Sequence, residues 1–132
     1  MNSIKLDIVT PLGSIKYDSV DYIRCPSLNG LFGIMANHQE GFFLLSIGEI
    51  KIVKNQSNEY LATSGGFAEI NDGEVKFIVE SIEKSSEIDL ERAKNSLKRA
   101  QKRRMDNNHD MDYIRNKASL SRAMNRLKIS KR

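Results

Sequence analysis

Tryptophan is absent from this chain, and cysteine occurs once, at position 25. One cysteine excludes an internal disulfide, so nothing in the residue chemistry points to an oxidising compartment. Histidine occurs only at His38 and His109. With no His/Cys cluster at ligand spacing, a metal centre has no sequence support. Long hydrophobic runs are missing too. The apolar stretches, 41–45 among them, have the length of strands and fall far short of the roughly 20 residues of a membrane span. The first residues alternate polar and apolar side chains, without the basic-then-greasy order of a signal peptide. The expected setting is therefore the cytoplasm, or the cytoplasmic face of a membrane, with no direct membrane insertion. Nucleophile signatures are also lacking: no serine stands in a G-x-S-x-G context, and Gly65-Gly66 is not followed by the Lys-Ser or Lys-Thr of a phosphate loop. A free-standing enzyme is not expected.

What is present divides the chain. Residues 1–86 hold 7 Lys/Arg against 11 Asp/Glu, a net of −4, while residues 87–132 hold 14 against 6, a net of +8. An acidic module precedes a basic one, which suggests separate partners for the two parts. In the first module, Ile4, Leu6 and Ile8 share one face of an alternating segment, Ile50 and Ile52 face away from Lys51 and Val53, and Val75, Phe77 and Val79 face away from Lys76 and Ile78. A period of two marks half-buried strands. Turn signals interrupt it at Pro11-Leu12-Gly13, 26–30, 55–58, Gly65-Gly66 and Asn71-Asp72-Gly73. Many short strands between frequent turns predict a β-sandwich or barrel over 1–86.

From Ile88 the period changes to that of a helix. Leu90, Ala93, Leu97, Ala100 and Arg104 share one face, and Arg92, Arg99 and Arg103 the opposite one. A polar stretch over 105–110 predicts a loop. A second helix is expected over about 111–129, with Tyr113, Leu120, Ala123, Met124 and Leu127 on one face and Arg115, Arg122 and Arg126 on the other. The two helices share the pattern S-L-x-R-A-x-x-R at 96–103 and 119–126. Ser86 with Asp89 three residues on fits a capping box at the first helix. The fold class is therefore α+β: an N-terminal antiparallel β-sandwich (1–86) followed by a C-terminal antiparallel helical hairpin (87–132). The hairpin's alanines bury little surface, so it must dock on the sandwich, bind a partner, or move between such states. Paired arginine stripes suit a polyanion, because guanidinium forks match phosphate and carboxylate oxygens. A nucleotide, a nucleic acid and an acidic protein segment all fit on composition. A small nucleic-acid-binding protein is thus the competing functional class, although Tyr113 alone offers a stacking surface in the basic module.

Four motifs carry a resemblance over nearly the whole chain. They are Gly30-Leu31-Phe32-Gly33-Ile34-Met35-Ala36-Asn37-His38, Gly48-Glu49-Ile50-Lys51-Ile52, Ser64-Gly65-Gly66-Phe67-Ala68-Glu69-Ile70, and Ile88-Asp89-Leu90-Glu91-Arg92-Ala93. In this order the chain resembles the epsilon subunit of bacterial F-type ATP synthases. The resemblance implies a ten-stranded sandwich and a non-catalytic central-stalk rotor subunit of a proton-translocating complex. It implies partners: the gamma subunit, the c-ring, and the alpha/beta catalytic head when the hairpin is extended, with no nucleic acid. It implies that the extended hairpin inhibits ATP hydrolysis. No cofactor is required, but ATP is expected as a regulatory ligand that holds the hairpin folded. The matching positions are Glu83, Ile88, Asp89, Arg92, Ala93, Arg99, Arg122 and Arg126 for ATP, and Leu31, Phe32 and His38 for the c-ring contact.

Because the strand pattern closes within the first module, a chain truncated after Lys84 is expected to fold alone. A cooperative thermal transition in that fragment is the predicted outcome, and a fragment without one contradicts the division.

Overall fold

The computed structural model describes residues 3–106 and 110–132. Ten strands come first: β1 (Ile4–Thr10), β2 (Gly13–Val20), β3 (Tyr22–Ser27), β4 (Gly30–Met35), β5 (Gly41–Leu45), β6 (Gly48–Lys54), β7 (Ser57–Thr63), β8 (Gly66–Asn71), β9 (Glu74–Val79) and β10 (Ile82–Lys84). A single 3₁₀ turn (Ser85–Glu87) leads into α1 (Leu90–Asp106), and α2 (Asp110–Ser130) follows. The strands form two five-stranded sheets, ordered β2-β1-β9-β8-β5 and β10-β7-β6-β3-β4. The expected sandwich and helical hairpin are both observed. One pairing departs from the antiparallel expectation: β1 lies parallel to β9, with Leu6 opposite Val75 and Ile8 opposite Phe77. Alternation along a strand reports which face is buried and carries no information about a neighbour's direction.

The local chemistry explains the turns. At the β8–β9 hairpin, Asp72 (φ 54°) and Gly73 (φ 79°) occupy the central positions, and at the β6–β7 hairpin Asn55 (φ 51°) and Gln56 (φ 65°) do so. Two positive φ values are what a type I′ turn requires. The Gly65-Gly66 bend lies where the chain leaves the second sheet and enters the first. A Cβ on Gly66 would sit 2.1 Å from the Ile78 carbonyl oxygen, so the β8–β9 approach admits only glycine there.

The core lies between the sheets. Ile4, Leu6 and Ile8 of β1 and Phe77 of β9 meet Ile23 and Cys25 of β3, Ile50 and Ile52 of β6, and Leu61 of β7. A polar link also joins the layers, and a second braces it from within the second sheet. The Tyr17 hydroxyl on β2 donates to Glu59 Oε1 on β7 at 3.1 Å, and Lys84 on β10 approaches the same oxygen at 3.6 Å. Burial, reinforced by the Glu59 carboxylate, holds the Tyr17 phenol well above its ordinary range. Burial alone pushes the Cys25 thiol up to about 12. Cys25 is thus a small core hydrophobe with no nucleophilic character.

The hairpin docks on one end of the second sheet. A separate apolar cluster there joins Ala62 of β7, Ile88 of the connection, Ala93 of α1 and Ile129 of α2, with Tyr60 and Leu127 at its margin. Ala93, Ala100 and Ala123 are buried, as their expected face requires, but Met124 is 56% exposed, contrary to expectation. The reason is that α2 has two neighbours. It packs on α1 and also on β6 and β7, with Asn125, Arg126 and Ile129 turned towards the sandwich, so its buried side is split and Met124 falls outside it. The middle of the expected loop, 107–109 with His109, lies outside the described residues, as do the side chains of Arg104 and Tyr113.

Cys25 and Tyr17 both have raised folded-state values, so their neutral forms stabilise the fold fully at neutral pH. That contribution declines once the unfolded chain's thiol ionises, near its ordinary value of 9.0, and is lost as pH rises towards about 12. The denaturant midpoint is expected to be flat from about pH 6 to 8 and lower at about pH 10.5, with Cys25→Ala reducing the drop.

Candidate functional site

Five of the eight expected ligand positions, from Glu83 to Ala93, lie in or beside the connection between sandwich and hairpin. Ile88 is extended (φ −75°, ψ 121°) because its side chain enters the apolar cluster. The helix therefore cannot begin at Ser86, and the expected capping box is replaced by a later cap. Asp89 Oδ1 accepts from the Arg92 amide at 3.1 Å, and the Asp89 carbonyl accepts from Ala93 N at 2.9 Å. Asp89 is the N-cap of α1, where a carboxylate also complements the helix dipole.

Across from this start, β10 pairs with β7 so that Glu83 stands opposite Ala62. Arg126 reaches Glu83 with both prongs of its fork: Nε to Oε1 at 2.5 Å and Nη2 to Oε2 at 3.1 Å. Both side chains are partly exposed, at 25% and 34%. Beside the pair, Asn125 Nδ2 donates to the Gly48 carbonyl at 2.8 Å. Arg122, Asn125, Thr63, Ser64 and Ser81 surround a crevice of about 30 Å³, room for a water or two.

Glu83, Arg122 and Arg126 are thus brought together, and Ile88 and Ala93 lie in the adjoining seam. Ala93 is wholly buried, so its size serves helix docking. Arg92 and Arg99 are exposed on α1, and among the described residues neither bonds to Glu83 or Arg126. Arg99 donates instead to Ser96 at 3.1 Å, and Arg122 donates to Ser119 at 3.1 Å. The repeated S-L-x-R pattern therefore has one geometric meaning, a hydroxyl that orients the arginine one turn later.

The remaining expected positions lie elsewhere. Leu31 is 64% exposed beside the β3–β4 turn. Phe32 is half-buried against Phe43, ring centres 5.2 Å apart. His38 follows the far end of β4, edge-on to Phe43 at 5.8 Å. Leu31 and His38 therefore flank opposite ends of one strand.

Two features were not foreseen. On the outer face of the first sheet, Val9, Ile78, Phe67 and Leu44 stand in register across four strands. Leu44, Phe67 and Ile78 are 45–58% exposed, and Phe42 lies edge-on to Phe67 at 6.4 Å. The row borders an open groove of about 910 Å³. Its signal was present in 41–45, which is apolar on both faces. The second feature is Arg132, whose Nε donates to Glu49 Oε2 at 2.9 Å and whose Nη2 donates to Oε1 at 2.8 Å. The guanidinium also lies 4.4 Å from the centre of the Tyr60 ring.

The described geometry agrees with what the chain resembles. A model of the ATP synthase delta/epsilon chain β-sandwich domain matches residues 3–85, and a model of that chain's long α-helix domain matches 86–131. This chain belongs to the ATP synthase epsilon family. The epsilon chain of Staphylococcus haemolyticus is 39% identical over 131 residues, covering 98% of both chains. That of Nitratidesulfovibrio vulgaris is 34% identical over 127, covering 96% of this chain and 95% of its own. Among solved structures, a chain of the Euglena gracilis mitochondrial ATP synthase (OSCP/F1/c-ring) shares the fold with a TM-score of 0.84 at 22% identity, over 98% of this chain and 82% of that one. A chain of the Tetrahymena thermophila central stalk and c-ring has a TM-score of 0.66 at 17% identity, over 96% and 95%. This epsilon chain is a non-catalytic subunit of the complex.

The Glu83–Arg126 pair predicts a measurable coupling. A double-mutant cycle on Glu83→Ala and Arg126→Ala, read by thermal loss of the helical signal, should give about 0.5–1 kcal/mol, the value of a partly exposed bidentate pair. A coupling indistinguishable from zero contradicts a docking role for the pair.

Proposed function

We propose that this epsilon chain is a rotor subunit whose sandwich binds the gamma subunit and rests on the c-ring. Its hairpin restrains ATP hydrolysis when it extends towards the alpha/beta head, and ATP favours the folded form. The rotor works at the cytoplasmic face of the bacterial membrane, held there by its partners. No helix of the described structure is long and apolar enough to cross a membrane. The exposed apolar row on the first sheet suits a permanent protein partner, since large patches of this kind are uncommon on free monomers.

The observation that carries the reading is how the hairpin is held. Its apolar seam is small, made of Ala62, Ile88, Ala93 and Ile129 with Tyr60 and Leu127 partly buried, and its other ties are hydrogen bonds and partly exposed ion pairs. Such a dock is strong enough to form and weak enough to open. The nucleotide motif lies at the hinge of that dock. The crevice there is far below the roughly 300–1,000 Å³ of ligand pockets, so ATP binding requires it to widen. A triphosphate would compete with the Glu83 carboxylate for Arg126, with Arg122 beside it and Arg92 and Arg99 brought in from α1. The nucleic-acid reading is weakened by the same geometry, because Arg126 and Arg132 turn onto the sandwich's own carboxylates.

Calorimetric titration tests the nucleotide step. Saturable ATP binding by the full chain, weakened about tenfold by Arg92→Ala or Arg126→Ala, is expected, since one charge-assisted bond is worth about 1.5–3 kcal/mol. No binding by the unaltered chain contradicts it. In a reconstituted synthase, removal of 87–132 should raise ATP hydrolysis, and unchanged hydrolysis contradicts the inhibitory role.

A further inference from the structure

The Glu49 carboxylate stands apart from the nucleotide motif and touches two arginines at once. It lies on β6 with its side chain only 11% exposed. Arg132, beyond the end of α2, holds both of its oxygens. Arg24, on the neighbouring strand β3, reaches Oε1 through Nη2 at 3.1 Å. The Nε of Arg24 is buried and has no hydrogen-bond partner. A buried donor without a partner is uncommon and calls for an explanation.

We infer that Glu49 is an exchange site: Arg132 and Arg24 compete for one carboxylate, and Arg24 takes over the freed oxygen when the hairpin undocks. The inference rests on the reading of a mobile hairpin. The enclosure is that of the docked form: when Arg132 leaves, water enters on that side, but the carboxylate still rests on the sheet and has lost a counter-ion. Arg24 removes that penalty. It belongs to the sandwich and stays when α2 departs. Its orphaned Nε lies on a fork already bonded to the same carboxylate, so Oε2 passes from one guanidinium to the other. Undocking then exchanges partners where it would otherwise strand a charge. Glu83 needs no such device, since its side chain is 34% exposed and water can replace Arg126.

The exchange has a signed consequence. Removing Arg132 weakens docking. Removing Arg24 strengthens it, because Glu49 then depends on Arg132 alone. Thiol labelling reads both on the full chain. An Ala62→Cys reporter sits on β7 at a position buried in the cluster that the docked helices complete, and the native Cys25 in the sandwich core reports opening of the sandwich itself. Labelling of the reporter is expected to be faster than that of Cys25. Arg132→Ala should speed it about fivefold or more, and Arg24→Met should slow it about threefold or more, in keeping with charge-assisted bonds at a partly exposed site. Arg24→Gln should slow it in the same direction, and Cys25 labelling in each variant verifies that the sandwich is intact. If Arg132→Ala changes nothing, or if the Arg24 variants speed labelling or leave it unchanged, the exchange is overturned while the mobile hairpin stands. If reporter and Cys25 label at one common rate in every variant, the hairpin opens only with the sandwich, and the mobile-hairpin reading fails together with the exchange.

Discussion

The hairpin's hold on the sandwich depends on one isoleucine. Ile129 is the large α2 side chain in the small cluster with Ala62, Ile88 and Ala93, and it is fully buried there. Around it, Ala62 and Ala93 allow close approach of helix and sheet but bury little area, and Ile88, with Tyr60 and Leu127 at the margin, completes the cluster. The main core, by contrast, draws on Ile4, Leu6, Ile8, Ile23, Ile34, Ile50, Ile52, Leu61 and Phe77. The molecule therefore has two apolar clusters of unequal strength. The stronger keeps the sandwich closed, and the weaker holds the helices against it. Polar ties decide the balance at the weaker one, which is why Glu83, Glu49 and the Gly48 carbonyl face α2 at its sandwich-side edge.

This inequality accounts for the charge split. The sandwich carries a net −4 and the hairpin a net +8. Two hairpin arginines are paired with sandwich carboxylates in the docked form. The long-range attraction favours the docked state without close fitting, and salt screens it within about a Debye length. On the proposed reading, the same basic surface, once released, meets acidic surface on another protein, and one set of side chains serves both positions of a switch in which each carboxylate left behind is hydrated or re-paired.

The fold was largely legible in the sequence, and the site less so. Alternation in β1, β6 and β9 reports burial directly, since a residue facing the core must be apolar at every second position. Turn residues with positive φ, such as Asp72-Gly73, mark hairpins by steric necessity. Strand direction leaves no such trace, so the parallel β1–β9 pair was not foreseen. The faces of α2 were misread because a helix packed on two sides has no single apolar stripe: Arg126 shares a sequence stripe with Arg115, yet one turns to Glu83 and the other is exposed. The cap shifted from Ser86 to Asp89 because Ile88 is recruited by a tertiary cluster, and local capping preference does not register that demand. Arg132 and Glu49 are 83 residues apart and share no motif, so only the folded chain brings them together.

The central claim is that the helices leave a sandwich that stays folded. Native-state hydrogen exchange of the isolated full chain tests it most directly. The account predicts that α1 and α2 amides exchange through a local opening, at least about a hundredfold faster than the β1, β6 and β9 core amides. Equal opening free energies for helices and core strands would mean that hairpin and sandwich open only together, and would contradict it.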